Sequence, residues 1–321
     1  MNKEQIAEAL RFLFDPQKVI TLSMFIVTKD DDGFSVRRSD ITEEAETSLR
    51  NQFRDFLVNE IRDSDERAYG SILESDGKTI GTFTFDVDEK PDGLDLMTGL
   101  LEDEENREEF NFATDNIEDI FGYIFLIGND EEKIALYKKQ YPISVLRRDR
   151  TIVFRKSDTR LEEVKGDLIA IDRKIQFLQI GTELLVLDPG VLERIFGFDE
   201  AIKSGATANV RDLLGPTEFV HDSAPLLDRL DNLTFARKLR KLNPNSPVLN
   251  VEFEKLKEFI KQHPKLKNKI RFNDDETKIS LDTHVSMDLF IRLLDDDYLK
   301  SDLTDYLYEV DRKDVVSNDD A

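Results

Sequence analysis

Two short triplets carry the residue types of metal-dependent phosphodiester hydrolysis. Glu163-Val164-Lys165 follows Asp158, and Glu131-Glu132-Lys133 lies downstream of Asp92. An aspartate and a Glu-x-Lys trio on adjacent strands would hold a divalent cation on carboxylates while the lysine assists a water. In a chain that is 35% charged such triplets arise by chance repeatedly, so a metal-dependent nuclease is kept only as an alternative reading. The three histidines, His221, His263 and His284, are too far apart for an HxxH or HExxH motif. Placing Gly33 of Asp30 to Gly33 at the sixth position of a calcium loop puts Thr28 first and Ser39 twelfth, and both break the ligand pattern. There is no GxSxG, GxGxxG or GxxxxGK motif. The absence of cysteine excludes disulfides, thiolate catalysis and Cys-ligated zinc, and fits a reducing cytoplasm. The expectation is therefore a non-enzyme with no catalytic residue, no metal site and no cofactor.

What remains as chemistry is charge. The formal net charge is -23, which by itself argues against a polyanionic ligand. The charge is not evenly spread. Residues 86–119 hold fourteen acids against Lys90 and Arg107, and residues 295–321 hold ten acids against three bases. Residues 133–174 carry twelve bases against six acids, and residues 235–273 carry eleven against three. These two basic islands are where phosphate oxygens could be bound.

In the first island, strand-like runs at Ile143 to Leu146 and Thr151 to Phe154 flank Arg147-Arg148-Asp149-Arg150, which reads as an exposed hairpin loop of about four residues. Guanidiniums at such a tip can pair bidentately with phosphate. Lys138 and Lys139, like Arg155 and Lys156, are neighbours on a strand, so only one of each pair can face a given ligand. The second island supplies Arg237, Lys238, Arg240 and Lys241 at a helix end, with Lys261, Lys265, Lys267, Lys269 and Arg271 clustered around the turn after Pro264. Charge alone leaves two readings open: these cations bind nucleic acid, or they meet acidic surfaces of this chain or a second copy, as in an acidic protein-binding scaffold.

The elements that would position these residues follow from periodicity. Residues 3–14 read as a helix closed by Pro16, Val19 to Thr28 as a strand, and Phe34 to Arg37 as its partner beyond a turn. Asp40 is expected to cap a helix whose buried face is Ala45, Leu49, Phe53, Phe56, Leu57 and Ile61. Arg67 to Glu74 and Lys78 to Val87 read as strands joined through the turn Ser75 to Lys78, and the acidic stretch that follows reads as a linker or solvated face. From Asn116 to about residue 188 short strands favour an antiparallel meander. From Pro189 helices dominate, at Val191 to Phe196, Leu226 to Leu242 and Val251 to Gln262. A small strand pair, Lys269 to Phe272 and Lys278 to Leu281, and a closing helix complete the reading. The fold class expected is α+β: an N-terminal α/β unit followed by a mainly antiparallel sheet with C-terminal helices. The expected boundaries are 1–112, 113–316 (strand-rich 116–188, helical 189–300) and an acidic tail 317–321. The start, MNKEQIAEALRFLFDP, lacks the pattern of an export signal, and the longest uncharged runs are about ten residues, roughly half of a membrane span.

The stretches GYIFLIGNDEEKIALYKKQYPISVLRRDRTIVFRKSD, DLIAIDRKIQFLQIGTELLVLDPGVLERIFGFDE and LLDDDYLKSDLTDYLYEVDRK together resemble the KwaB family, the soluble component of the Kiwa anti-phage defence system. The likeness covers about two-thirds of the chain and rests on the LYKKQYP run, the Asp172-Arg173-Lys174 step, LERIFGF and LLDDDYL. It implies an antiviral effector that binds phage double-stranded DNA, forms a homodimer or higher homo-oligomer, and works with a membrane-embedded partner, KwaA. It further implies a cytoplasmic protein recruited to the inner membrane through that partner. Combined with the islands, the DNA-binding set expected is Lys138, Lys139, Arg147, Arg148, Arg150, Arg155, Lys156, Arg237, Lys238, Arg240 and Lys241.

Overall fold

A computed structural model describes residues 1–31, 33–65, 67–75, 79–87, 90–146, 153–156, 160–215, 219–300 and 307–309. The chain divides into two compact units, Met1–Gly197 and Phe198–Ala321. The fold class is α+β, with a large, mainly antiparallel sheet followed by helices.

In the first unit, α1 (Lys3–Ala9) starts behind a capping box formed by Asn2 and Gln5. The β-branched run becomes β1 (Thr21–Asp30), and Gly33 opens β2 (Gly33–Ser39) at φ 123°, where a side chain would be strained. Helix α2 (Glu43–Phe56) continues into a π-helical turn at Leu57–Arg62. Its cap is Thr42, whose hydroxyl accepts from Ala45 N at 3.3 Å, and not the expected Asp40, which lies two residues too early to reach the first turn. Next come β3 (Ala68–Ser71), β4 (Gly81–Thr84) and α3 (Asp95–Glu102). Strands β5 (Ile120–Gly128) and β6 (Lys133–Lys139) follow. Four short strands, β7 (Val145–Leu146), β8 (Phe154–Lys156), β9 (Leu161–Glu163) and β10 (Leu168–Ile169), leave the sheet before β11 (Phe177–Ile180), β12 (Glu183–Val186) and α4 (Pro189–Phe196) rejoin it.

Among the described residues, eight strands form one sheet in the order β2-β1-β5-β6-β11-β12-β4-β3. The 1–112 boundary expected from the acidic stretch runs through this sheet, because β1 pairs with β5 (Phe25 opposite Ile124) and β12 with β4 (Val186 opposite Phe83). β3 and β4 are parallel, so their connection is a crossover and not a turn-closed hairpin. Ile6, Leu10, Leu13, Phe53, Leu57 and Ile61 from the helical layer are buried with strand residues of one sheet face. Each such fully buried side chain contributes about 1.5–3 kcal/mol over its exposed state.

The second unit holds α5 (Phe198–Leu214), α6 (Ala224–Asp228), α7 (Leu233–Lys241), α8 (Phe253–Gln262), the pair β13 (Arg271–Phe272) and β14 (Ile279–Ser280), α9 (His284–Leu294), and the pair β15 (Tyr298–Lys300) and β16 (Leu307–Glu309). The helix expected over Leu226 to Leu242 is broken in two, with Asn232 capping α7 by accepting from Phe235 N. α5 has no counterpart in the sequence reading. Its Ile202, Ala206, Val210 and Leu213 are buried at helical spacing, but the Lys203 to Asn209 segment between them is rich in loop-favouring Ser, Gly, Thr and Asn.

Candidate nucleic-acid interface

The first island is not one surface. Strand alternation sends Lys138 and Lys139 to opposite faces of β6, as expected, but neither ammonium projects freely into solvent. Lys138 is 3% exposed and donates to Asp172 Oδ1 at 2.8 Å and to Lys174 O at 3.0 Å. It is a structural cation, since a buried ammonium without partners would be costly. Lys139 donates to Phe121 O at 2.8 Å and lies 3.2 Å from the centre of the Phe121 ring. Burial and, secondarily, Lys29 hold its amine down to about 8.

Thr151 and Ile152, where the two flanking runs would face each other across Arg147 to Arg150, lie outside the described residues. β7 pairs with β10 (Leu146 opposite Leu168), and β8 pairs with β9 (Phe154 opposite Glu163), each pair antiparallel. The local sequence could not disclose this, because a strand's partner is chosen by contacts distant in sequence. Arg147, Arg148 and Arg150 lie outside the described residues. Arg155 and Lys156 lie on β8, opposite Glu162 and Leu161 respectively.

On α7 the basic residues are largely held by packing. Arg237 is 9% exposed, and Lys238 pairs with Asp288 at 3.4 Å. Arg240 donates to Ala201 O at 3.1 Å and lies against Gly205 of α5, where an added Cβ would come within 2.9 Å of its Nε. Lys241 is exposed at the end of the helix. These positions read as a basic patch in sequence because the reading lacked α5, the element that Arg240 packs on.

The turn after α8 is different, and it lies outside the set expected to bind DNA. His263 caps α8, and its carbonyl accepts from Leu266 N and Lys267 N. Leu266 is fully buried and Ile270 is 3% exposed. With these apolar anchors inward, Lys265, Lys267, Lys269 and Arg271 are all exposed. Asn268, at φ 66°, bends the chain between them. The lysines of α8 itself are engaged by acids, Lys257 with Glu254 at 2.8 Å and Lys261 with Glu276 at 2.6 Å. Lys267, Lys269 and Arg271 have no ion pair with a described carboxylate. A concavity of about 670 Å³ opens here, lined by the bases Lys261, Lys267 and Arg271 and by the acids Asp274 and Glu276.

Of the two triplets suited to metal chemistry, the one at Glu163 follows Asp158, which lies outside the described residues, and the other is engaged in ion pairs. Lys133 pairs with Glu104 at 2.6 Å, and Glu132 is bound by Lys18. Among the described residues no group of three or more His, Asp or Glu could hold a metal ion, and no helix is long and apolar enough to cross a membrane. The acidic stretch is partly neutralised internally, through Glu104 and through the Arg37–Asp115 pair at 2.9 Å.

The family model described as Kiwa protein KwaB-like matches residues 117–304. The Kiwa protein KwaB of Escherichia coli O55:H7 (strain RM12579 / EPEC) is 25% identical over 311 residues, which cover 96% of this chain and 97% of that protein. The likeness therefore includes the strands before residue 117 that complete the sheet. No solved structure matches the chain.

Proposed function

The chain belongs to the Kiwa protein KwaB-like family, and from that premise we propose that it is an anti-phage defence effector that binds double-stranded DNA through phosphates, without chemistry of its own. It works as a homo-oligomer with a membrane-embedded partner of the KwaA kind, which recruits it from the cytoplasm to the inner membrane. The observation that carries the DNA reading is the turn Lys265 to Arg271. In a chain of net charge -23, it presents Lys267, Lys269 and Arg271 to solvent beside an open concavity, with no described acid paired to them. Exposed cations of this kind read phosphate position and not base identity, so little sequence preference is expected.

The diffuse acidity does not defeat this. At physiological salt charges farther than about 8 Å are largely screened, whereas a direct charged hydrogen bond contributes roughly 1.5–3 kcal/mol. Replacing Lys267, Lys269 and Arg271 together by Glu should lower duplex affinity well over tenfold at low salt, with the thermal unfolding profile retained. Replacing Arg147, Arg148 and Arg150 by Glu is the parallel arm. Unchanged affinity in the first variant, with loss only in the second, would overturn the assignment to the turn. Cleavage of DNA in Mg or Mn that depends on Glu163 or Lys165 would overturn the non-catalytic reading.

A further inference from the structure

We propose that Lys29 and Lys139, whose ammoniums lie over the ring of Phe121, form a second, separate anion site for a phosphate group. β1, β5 and β6 are neighbours in the sheet, with Thr28 opposite Ile120 and Gly122 opposite Lys139. This register puts Phe121 of β5 between Lys29, next to last in β1, and Lys139 at the end of β6. Lys139 Nζ lies 3.2 Å and Lys29 Nζ 5.6 Å from the centre of that ring. Lys29 also lies 5.0 Å from the ring of Phe34, its partner on β2. Phe196 of α4 completes the aromatic floor, 5.9 Å from Phe121 and 6.3 Å from Phe34.

Two ammoniums converging on one phenyl ring repel each other, and partial burial of Lys139 adds a desolvation cost. The ring faces offset only part of this, since a cation–π contact contributes about 0.5–2 kcal/mol. A chain with 68 acids could have placed a carboxylate here, yet neither lysine is in an ion pair with a described one. With no described carboxylate on either lysine, the pair is suited to an anion from outside the chain. Lys139 gives one N–H to Phe121 O, which leaves two donors, and Lys29 contributes its own. A doubly charged group with several acceptor oxygens matches that supply, and phosphate has both properties. Two sources share this chemistry: a free phosphate monoester such as a nucleotide, or the terminal phosphate of a nucleic-acid strand.

The site lies wholly in the first unit and stands independently of the turn at Lys265 to Arg271. NMR of the full chain carrying isotope-labelled lysine, with the Lys139 side-chain resonance assigned by Lys139→Arg, reads the site directly. Without phosphate the Lys139 amine should titrate near about 8. Saturating inorganic phosphate, a nucleoside monophosphate or an end-phosphorylated oligonucleotide should raise that midpoint by about one unit, equivalent to about tenfold tighter binding by the protonated form. Whichever of the last two acts at the lower concentration identifies the source. Lys29→Met should raise the midpoint in the absence of phosphate and shrink the phosphate response several-fold. A midpoint that no phosphate moves, or one that a hydroxyl-ended oligonucleotide moves as far as its phosphorylated twin, would overturn the proposal. Duplex affinity of the Lys267, Lys269 and Arg271 variant is measured separately, so either idea can fail alone.

Discussion

Leu266 and Ile270 determine which way the cations around them point. Burying these two residues leaves the positions between and beside them outward, and that exposes Lys267, Lys269 and Arg271 on one short segment. Next to them His263 is 4% exposed, between Phe259 and Tyr298, with Nδ1 facing Lys265 N at 3.3 Å and Nε2 unpartnered among the described residues. Burial, and then Lys265, lowers its pKa from the ordinary 6.5. Below 6.5 the unfolded chain takes up a proton that the folded chain refuses, so stability is lost as pH falls from 6.5 toward the folded pKa. Denaturant midpoints should therefore drop on acidification through this window more for the wild type than for His263→Phe, and parallel pH profiles would contradict it. The basic character of this turn was legible from its lysines. The burial of Lys138 was not, because it depends on Asp172, which lies far from it in sequence.

Among the elements, α2 shows what local pattern conveys and where it stops. The apolar face of α2 was readable from spacing alone, and Phe53, Phe56, Leu57 and Ile61 are indeed buried. The cap was misassigned by two residues, from Thr42 to Asp40, since both types cap well and only backbone geometry separates them. Thr42→Ala should cost about 1 kcal/mol in urea unfolding, and Asp40→Ala less than about 0.5. Equal costs would refute the capping assignment. The excursion β7 to β10 marks the opposite limit. Its short strands were legible in sequence but the pairing of β7 with β10 and of β8 with β9 was not, because a β-rich run carries no local mark of the later strand it pairs with.

For the whole molecule, the acidic stretch suggested a boundary that the sheet contradicts. β1 to β4, all before residue 112, supply half of the eight strands, and β5 is buried along nearly its whole length against β1 and β6. A fragment beginning at residue 113 should be insoluble or lack a cooperative transition, while 1–197 should melt cooperatively; a well-folded 113–321 fragment would contradict this. Charge distribution is the molecular property on which the functional account rests: strong net acidity with Lys267, Lys269 and Arg271 left without a described acidic partner. Its most direct test is duplex affinity as a function of salt, compared between the wild type and Lys267→Met/Arg271→Met. Each phosphate contact on B-DNA contributes a slope of about -0.9 in log affinity against log salt, so the variant should bind more weakly and with a slope shallower by about 2. Absence of binding by the wild type at low salt, or equal slopes in the two proteins, would contradict the account.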